Sequence, residues 1–477
     1  SAAASAASAA ASAASAAGRI DRARAASVLD RMTTTPAPPP RHVARAEREA
    51  YGRSLRDVVR RVDHDVWTTG DRDVLARLEA SEAGRLPKLL PFRHGRMAAS
   101  PFAYLRGNAS IMAPDLMALP HTGYFVQICG DAHLRNLGAY SAPDGKVVFD
   151  LNDFDETCRA PWEWDLKRLA ISIVLVAREG RASERVAQDA VMAMVRSWRE
   201  TMHELAELSA VELARYAVHR FEVEGPVGRV LSKAEHIKPL QAREALCAPA
   251  LPDGRHRFVA ADPKLQRIAD EEAELVLASL AEYRASVGPS RQQVLDSYEA
   301  YDVAFKVAGT GSIGVHNYAV ICAGNGPDDS LILQVKEALP STYVAHGWPA
   351  PAGHDGKRVA EGAHRMQTSV DPFIGWTTIG DRPYYVRQLN DHKAAIDPAD
   401  LKRSSLVEYA RVCGETFAKG HARTSDPAVL YGYAGDAEKL DRAIATMAAI
   451  AADQVTADHA LLVAAIGRGE LASADLD

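Results

Sequence analysis

Gly130-Asp131-Ala132-His133-Leu134-Arg135-Asn136 and Asp150-Leu151-Asn152-Asp153-Phe154-Asp155-Glu156 are the two stretches on which the reading of this chain turns. The first follows Tyr124-Phe125-Val126-Gln127-Ile128, a short apolar run that predicts a buried strand. Between the two, Pro143-Asp144-Gly145 predicts a hairpin turn and Lys146-Val147-Val148-Phe149 the returning strand. After Pro161 a long amphipathic helix is expected, with Trp164, Leu166, Leu169, Ile171, Ile173 and Val174 at its apolar positions. Polar loops at the ends of neighbouring strands thus gather several carboxylates and one amide. Mg²⁺ needs few protein oxygens when phosphate oxygens complete its shell, so a magnesium nucleotide suits this set. Asn136 and Asp153 are the expected metal pair, with Asp155 beside them, although Asp155 and Glu156 would also serve as caps. Asp131 has the separate position of a base or orienting group for an attacking hydroxyl, and His133 that of an orienting residue. Asp150 also follows a β-branched strand and competes with Asp153 for the metal.

Around this centre lie 477 residues, 47% of them hydrophobic and 25% charged, enough for two large lobes or about three units with a sizeable core. Fifty-six Lys and Arg against sixty-two Asp and Glu give a net charge of −6, which argues against a dedicated nucleic-acid binder. No long run of strongly apolar residues predicts a bilayer span. The five scattered cysteines, without a CxxC pair, predict neither a disulfide scaffold nor a zinc site and point to the cytoplasm. Residues 1–40, a Ser/Ala tract closed by prolines, are expected to be a disordered tail. A helical region is expected over 41–123, with Ser100 capping a helix from Phe102 to Met112 that Pro114 ends. Residues 124–296 form the region of the polar loops, 297–395 a β-rich lobe, and 396–477 closing helices.

The β-rich lobe carries Gly309-Thr310-Gly311-Ser312-Ile313-Gly314 between two predicted strands. A dinucleotide-binding fold would open a helix there. Strand-like sequence with Tyr318, Val320 and Cys322 alternating instead favours a glycine hairpin over nucleotide phosphates, or an ordinary hairpin. Gly309, Gly311, Ser312 and Gly314 are the candidate phosphate cradle. Twenty-two residues after Gly314, Lys336 ends the strand-like run Leu331-Ile332-Leu333-Gln334-Val335-Lys336. Glu361, on a helix predicted over 358–367, is the candidate ion-pair partner of Lys336. Arg93, Arg96 and Arg106 cluster before the first loop, where they could bind an anion or brace helix ends.

These motifs resemble the aminoglycoside and choline kinase branch of the protein kinase-like superfamily. Its catalytic loop has the form HGDxHxxN, followed by a metal aspartate in a sequence such as DFD, a proline, and a helix-starting aspartate. Cys129 to Asn136, Asp153-Phe154-Asp155, Pro161 and Asp165-Leu166 match in order, with Cys129 in place of the first His. Only the register that makes Asp153 the metal ligand brings Pro161 and Asp165 into place. The order is unusual, since the glycine loop and Lys336 come about 175 residues after the catalytic loop rather than before it. The resemblance therefore implies an α+β, two-lobed kinase-like fold that is circularly permuted, with extra helices. In it, either Phe102 to Met112 or Ala418 to Ala422, with His421, would precede the catalytic loop. The chain from about Arg41 also resembles the bacterial family called domain of unknown function 2252, through Arg96 to Phe102, Gly130 to Asn136, Phe149 to Thr157, Trp162 to Leu169 and Cys413 to Arg423. Together these imply ATP- and Mg²⁺-dependent phosphoryl transfer to an unidentified small-molecule or protein hydroxyl or amine. The alternatives are nucleotidyl (AMP) transfer on the same fold and a non-catalytic ATP sensor or scaffold.

Overall fold

The computed structural model describes residues 38–68, 72–142, 144–218, 225–236, 240–248, 255–307, 309–326, 329–350, 352–389 and 394–475. The expected tail lies outside them up to residue 37, as do Pro143 of the hairpin turn and Ala308 at the end of a predicted strand. The architecture is mixed α+β, with helices dominant and three small antiparallel sheets.

The described residues open with α1 (Arg45–Val58), α2 (Val74–Ala80), α3 (Leu90–Ala98), α4 (Pro101–Leu105) and α5 (Ala109–Met117). Ser100 caps α4 by accepting from the Ala103 N–H at 3.1 Å, and Pro101 takes the first helical position, as its pre-set φ favours. The single helix expected from Phe102 to Met112 is two, broken at Gly107 and Asn108, and Pro114 lies inside the second instead of ending it. Proline removes the donor that the Ser110 carbonyl would otherwise accept from. His346 Nε2 meets that carbonyl instead, at 2.9 Å, so the helix continues through the proline.

Strands β1 (Phe125–Ile128) and β4 (Cys158–Pro161) pair with Phe125 opposite Pro161, and β2 (Leu137–Ser141) pairs with β3 (Val147–Leu151). β4 has too little apolar periodicity to be legible in sequence; its role is to close the polar loop back onto β1. From Pro161 the chain enters α6 (Trp162–Glu179), in which sixteen of eighteen residues are buried. It is therefore a central helix and not the half-exposed amphipathic one expected. The loop before β1 partners two of the helix's buried charged groups: Glu163 accepts from the Thr122 N–H at 2.7 Å, and Lys167 Nζ donates to the Pro120 carbonyl at 2.7 Å. α7 (Glu184–Glu207) packs beside it.

The second core lies under a six-stranded antiparallel sheet in the order β5-β6-β7-β8-β10-β9. Its strands are β5 (Leu265–Arg267), β6 (Glu299–Lys306), β7 (Asn317–Ala323), β8 (Ser330–Glu337), β9 (Gly375–Ile379) and β10 (Arg382–Gln388). α8 (Asp270–Ser286) covers it, burying Val276 and Tyr283 against Val303, Val320 and Val386. The sheet thus recruits residues 265–286, which the sequence assigned to the preceding region; a three-residue edge strand carries too short a pattern to be recognised. α9 (Asp355–Met366) leans on β10.

The closing helices α10 (Arg403–Thr424), α11 (Pro427–Ala434) and α12 (Lys439–Gly467) return to the first core and pack on α6, α7 and α1. By length and composition α12 could cross a membrane, although its apolar character is spread over many alanines and forms no run of strongly apolar residues. In this fold it lies on α6 and α7, and its buried Asp441 and Asp458 pair with Arg199 and Arg72.

Where α1 crosses α11 the backbones touch through glycines. A Cβ on Gly52 would stand 2.1 Å from the Val429 carbonyl oxygen, and one on Gly432 would stand 2.3 Å from that of Glu49. Backbone on both sides cannot yield cheaply, so Gly432→Ala is expected to destabilise the protein by about 1–3 kcal/mol. Urea unfolding would measure this, and a midpoint within error of wild type would contradict the close crossing.

Candidate functional site

The loop after β1 is organised by one buried carboxylate. Asp165, in the first turn of α6, accepts from the backbone N–H groups of Cys129 (2.9 Å) and Gly130 (3.0 Å) and lies 3.2 Å from His421 Nε2 of α10. Trp198 donates its indole N–H to His421 Nδ1 at 3.2 Å. An indole only donates, so Nδ1 accepts and Nε2 carries the proton given to Asp165. Gly130 has φ of +86°, and a Cβ there would stand 2.2 Å from the Glu156 carbonyl oxygen, so only glycine brings the two polar loops this close. Of the two segments expected to precede the loop in space, α10 supplies His421.

Asp131 follows directly. Its Oδ1 receives Arg168 Nε at 2.6 Å, and Arg168, buried in α6, also donates to the Leu105 carbonyl at 2.7 Å. His133 Nε2 stands 3.7 Å from the other oxygen, Oδ2, and its Nδ1 accepts from the Arg135 N–H at 3.2 Å. Burial holds the His133 pKa down at about 3, so the ring is neutral. Asn136 gives its amide nitrogen to the Asp131 carbonyl at 2.5 Å and accepts at its own carbonyl from the Asn152 N–H at 3.0 Å. That leaves the Asn136 side-chain oxygen available to a cation and ties the two loops together.

Asp153 and Asp155 face the same cleft. Burial, and then the neighbouring Asp155 charge, raise the pKa of Asp153. Burial acts on Asp155 in the same sense, but Lys336 at the end of β8 pairs with its Oδ2 and holds it below the ordinary value. Lys336 also reaches Ser312 Oγ at 2.5 Å. Asp155 Oδ1 is buried with no partner at hydrogen-bonding distance, although the Tyr385 hydroxyl lies close enough to favour the charged form. Among the described residues no three His, Cys, Asp or Glu side chains converge as a metal nest. Two adjacent carboxylates, one unpartnered oxygen and the Asn136 amide are nevertheless a set that could hold a hard divalent cation. Asp150 points elsewhere, paired with the buried Lys419 of α10.

The glycine segment forms a tight turn between β6 and β7. Gly309 and Gly314 have positive φ (+49° and +90°), and Gly309 to Ser312 line the cleft, whereas Gly314 sits behind it against Arg85. Arg85 donates to the Gly311 and Ile313 carbonyls at 2.9 and 2.8 Å. The cleft lies between this turn and the two polar loops, with Arg85, Arg93 and Arg106 on its third side.

Glu361 does not belong to it. It is partly exposed on α9 and pairs with Arg365 (2.9 Å) and Lys357 (3.8 Å), while Asp155 holds Lys336. Three residues earlier and nearer the cleft, Arg358 docks the helix: it donates to the carbonyls of Asp155 (2.9 Å), Thr157 (2.7 Å) and Leu339 (2.7 Å). Arg358 has no legible signature in sequence, because the groups it docks against beside the cleft are backbone carbonyls. Arg387 was missed for the same reason. It reaches the Asn152 carbonyl (3.1 Å) and Gln334 Oε1 (2.9 Å), behind Asp153.

All these residues fall within the stretch, 85–465, that matches the sequence model of one protein family. The chain belongs to the DUF2252 family. Its members are described as uncharacterised proteins conserved in bacteria, and the match begins at Arg85, the residue that braces the glycine turn. No curated protein and no solved structure matches the chain.

Two outcomes follow from this geometry. Arg358→Ala should lower stability by about 2 kcal/mol or more, because buried carbonyls lose a charged donor, whereas Glu361→Ala should change it by less than about 0.5 kcal/mol. Urea midpoints of the two variants would compare them; equal effects would refute the docking role.

The second concerns acid. Burial, aided by Lys167, also depresses His121 to about 3. The unfolded chain protonates both this residue and His133 below about pH 6.5, whereas the fold keeps them neutral. Their contribution is therefore complete above pH 6.5 and falls as the pH drops toward 3, by about 1.4 kcal/mol per pH unit each. Stability should be lower at pH 5 than at pH 7, and less so in His121→Phe; identical slopes in variant and wild type would contradict the neutral burial.

Proposed function

We propose that this protein is an Mg²⁺- and ATP-dependent phosphotransferase built as a circularly permuted, two-lobed kinase-like fold. One observation carries the reading. Asp131 and Asn136, Asp153 and Asp155, and Gly309 to Ser312 come from three separate parts of the chain yet line one cleft, and Lys336 meets it through Asp155 and Ser312. On this reading the six-stranded sheet with α9 is the nucleotide lobe, and α6, α7 and α10 form the core of the larger one.

Beside the cleft, next to Asn152 and Phe154, a second pocket is lined by Ala139, Tyr140, Ile374 and Leu389, with Gln334 and Arg387 at its polar edge. Its apolar walls suit a nucleobase, with Gln334, where kinases have a small apolar residue, supplying an amide. Phosphates would then run toward Ser312 and Lys336. Asn136, Asp153 and Asp155 would hold the Mg²⁺, which supplies neutralisation of charge on the phosphate oxygens.

Asp131 Oδ1 is held by Arg168, which leaves Oδ2 for the acceptor. Oδ2 orients the acceptor hydroxyl and receives its proton. The acceptor oxygen bonds to the γ-phosphorus as the bond from that phosphorus to the β–γ bridging oxygen breaks, and ADP departs. Neutral His133 packs beside Asp131 and adds no second charge. Catalysis of this kind is positioning and charge neutralisation in a water-poor cleft, worth most where donors are already in place.

ATP labelled separately on its α- and γ-phosphates tests the reading. Wild type with Mg²⁺ should pass γ-label to an acceptor or to water, Asp131→Asn should reduce the rate about 10²-fold or more, and Asp153→Ala should abolish Mg²⁺-dependent turnover. Transfer of α-label instead would assign nucleotidyl transfer. Full activity in Asp153→Ala would overturn the metal set.

A further inference from the structure

The arginines around the cleft differ in what their guanidinium groups already touch. Arg168 holds Asp131, Arg85 holds the glycine turn, and Arg93 donates to Glu82 (2.7 Å) and to the Gly107 carbonyl (2.8 Å). The guanidinium of Arg106, at the C-terminal end of α4, has no hydrogen-bond or ion-pair partner among the described residues, and its Nε is buried. An arginine that lines an acidic cleft unpaired is costly to keep unless a ligand completes it.

Its backbone explains why it is held there. A Cβ on Gly311 would stand 3.2 Å from the Arg106 carbonyl oxygen, so the tip of the glycine turn rests on this residue. Arg106 thus bridges the turn and the catalytic loop. Burial and then Arg135 lower its pKa to about 10, and of the carboxylates nearby Asp131 opposes that more than Asp153 does. Lys336, in contrast, belongs to Asp155. The two cations therefore differ in what they are free to do: Lys336 is held by Asp155, whereas Arg106 lines the same cleft as Asp131 with its guanidinium unpaired.

We infer that Arg106 binds the terminal phosphate of a nucleoside triphosphate, a contact that a diphosphate cannot make. The inference rests on the nucleotide reading above and adds to it a residue that distinguishes ATP from ADP. A planar guanidinium with unoccupied donors suits the bidentate recognition of phosphate oxygens.

Titration calorimetry of the full chain with ATP and with ADP, each with Mg²⁺, tests it. Arg106→Gln should weaken ATP binding about ten- to a hundredfold, the loss of one charge-assisted contact, and leave ADP binding within about twofold. Arg106→Lys keeps the charge, guards against misfolding, and should retain part of the ATP preference. Equal weakening of both nucleotides, or none for ATP, in either folded variant would overturn the inference while leaving the nucleotide reading intact. Wild-type protein that binds neither nucleotide would overturn both.

Discussion

A carboxylate sealed inside a protein must be met by donors on every side, and Asp165 is met by three donors from two distant parts of the chain. Two are backbone N–H groups of the loop after β1, and the third is His421, which arrives only after the chain has built the sheet and returned. The geometry of the loop, and with it the position of Asp131, depends on this bond set. His421 is in turn held by Trp198 of α7, so the packing of α7 and α10 is transmitted to the loop by hydrogen bonds of fixed polarity. A core of this kind ties local chemistry to global folding: the loop has its shape only when the last helices are in place.

The same logic runs through the rest of the cleft. Asp155 is held by Lys336 from the sheet, Asp131 by Arg168 from the central helix, Asp150 by Lys419 from α10, and the glycine turn by Arg85 from the N-terminal helices. Three of the clustered carboxylates, Asp131, Asp150 and Asp155, each have a cation drawn from a different element. Those pairings sort the acidic cluster into groups facing the cleft and groups bracing it. They also separate Asp153, with no direct cation, from Asp150, which two readings of the sequence could not distinguish by strand context alone.

The helices were legible where period and capping agreed, as at Ser100-Pro101 and after Pro161. They were misread where a tertiary partner changed the outcome: His346 meets the carbonyl that Pro114 leaves unpaired, so the helix does not stop. β4 and β5 were missed because strands of three or four residues gain their definition from the strand alongside and not from their own side chains. In the cleft, Asp131, His133, Asn136, Asp153, Asp155, Lys336 and Ser312 were found because their types and intervals carry chemistry. Arg358, Arg387 and Arg85 were not, because they act on backbone carbonyls, which every residue possesses.

By itself the sequence determined which residue types carry charge, which intervals separate them, and where strands hand over to loops. Those are local properties, set by side-chain chemistry and by the periods of helix and strand. The tertiary structure alone decided which charges meet. A lysine on a strand can be paired by any carboxylate the fold brings within reach, and here that is Asp155 and not Glu361. Burial decided the rest, since removal from water forces each ionised group either to find a partner or to wait for one, and only the folded chain shows that Arg106 is still waiting.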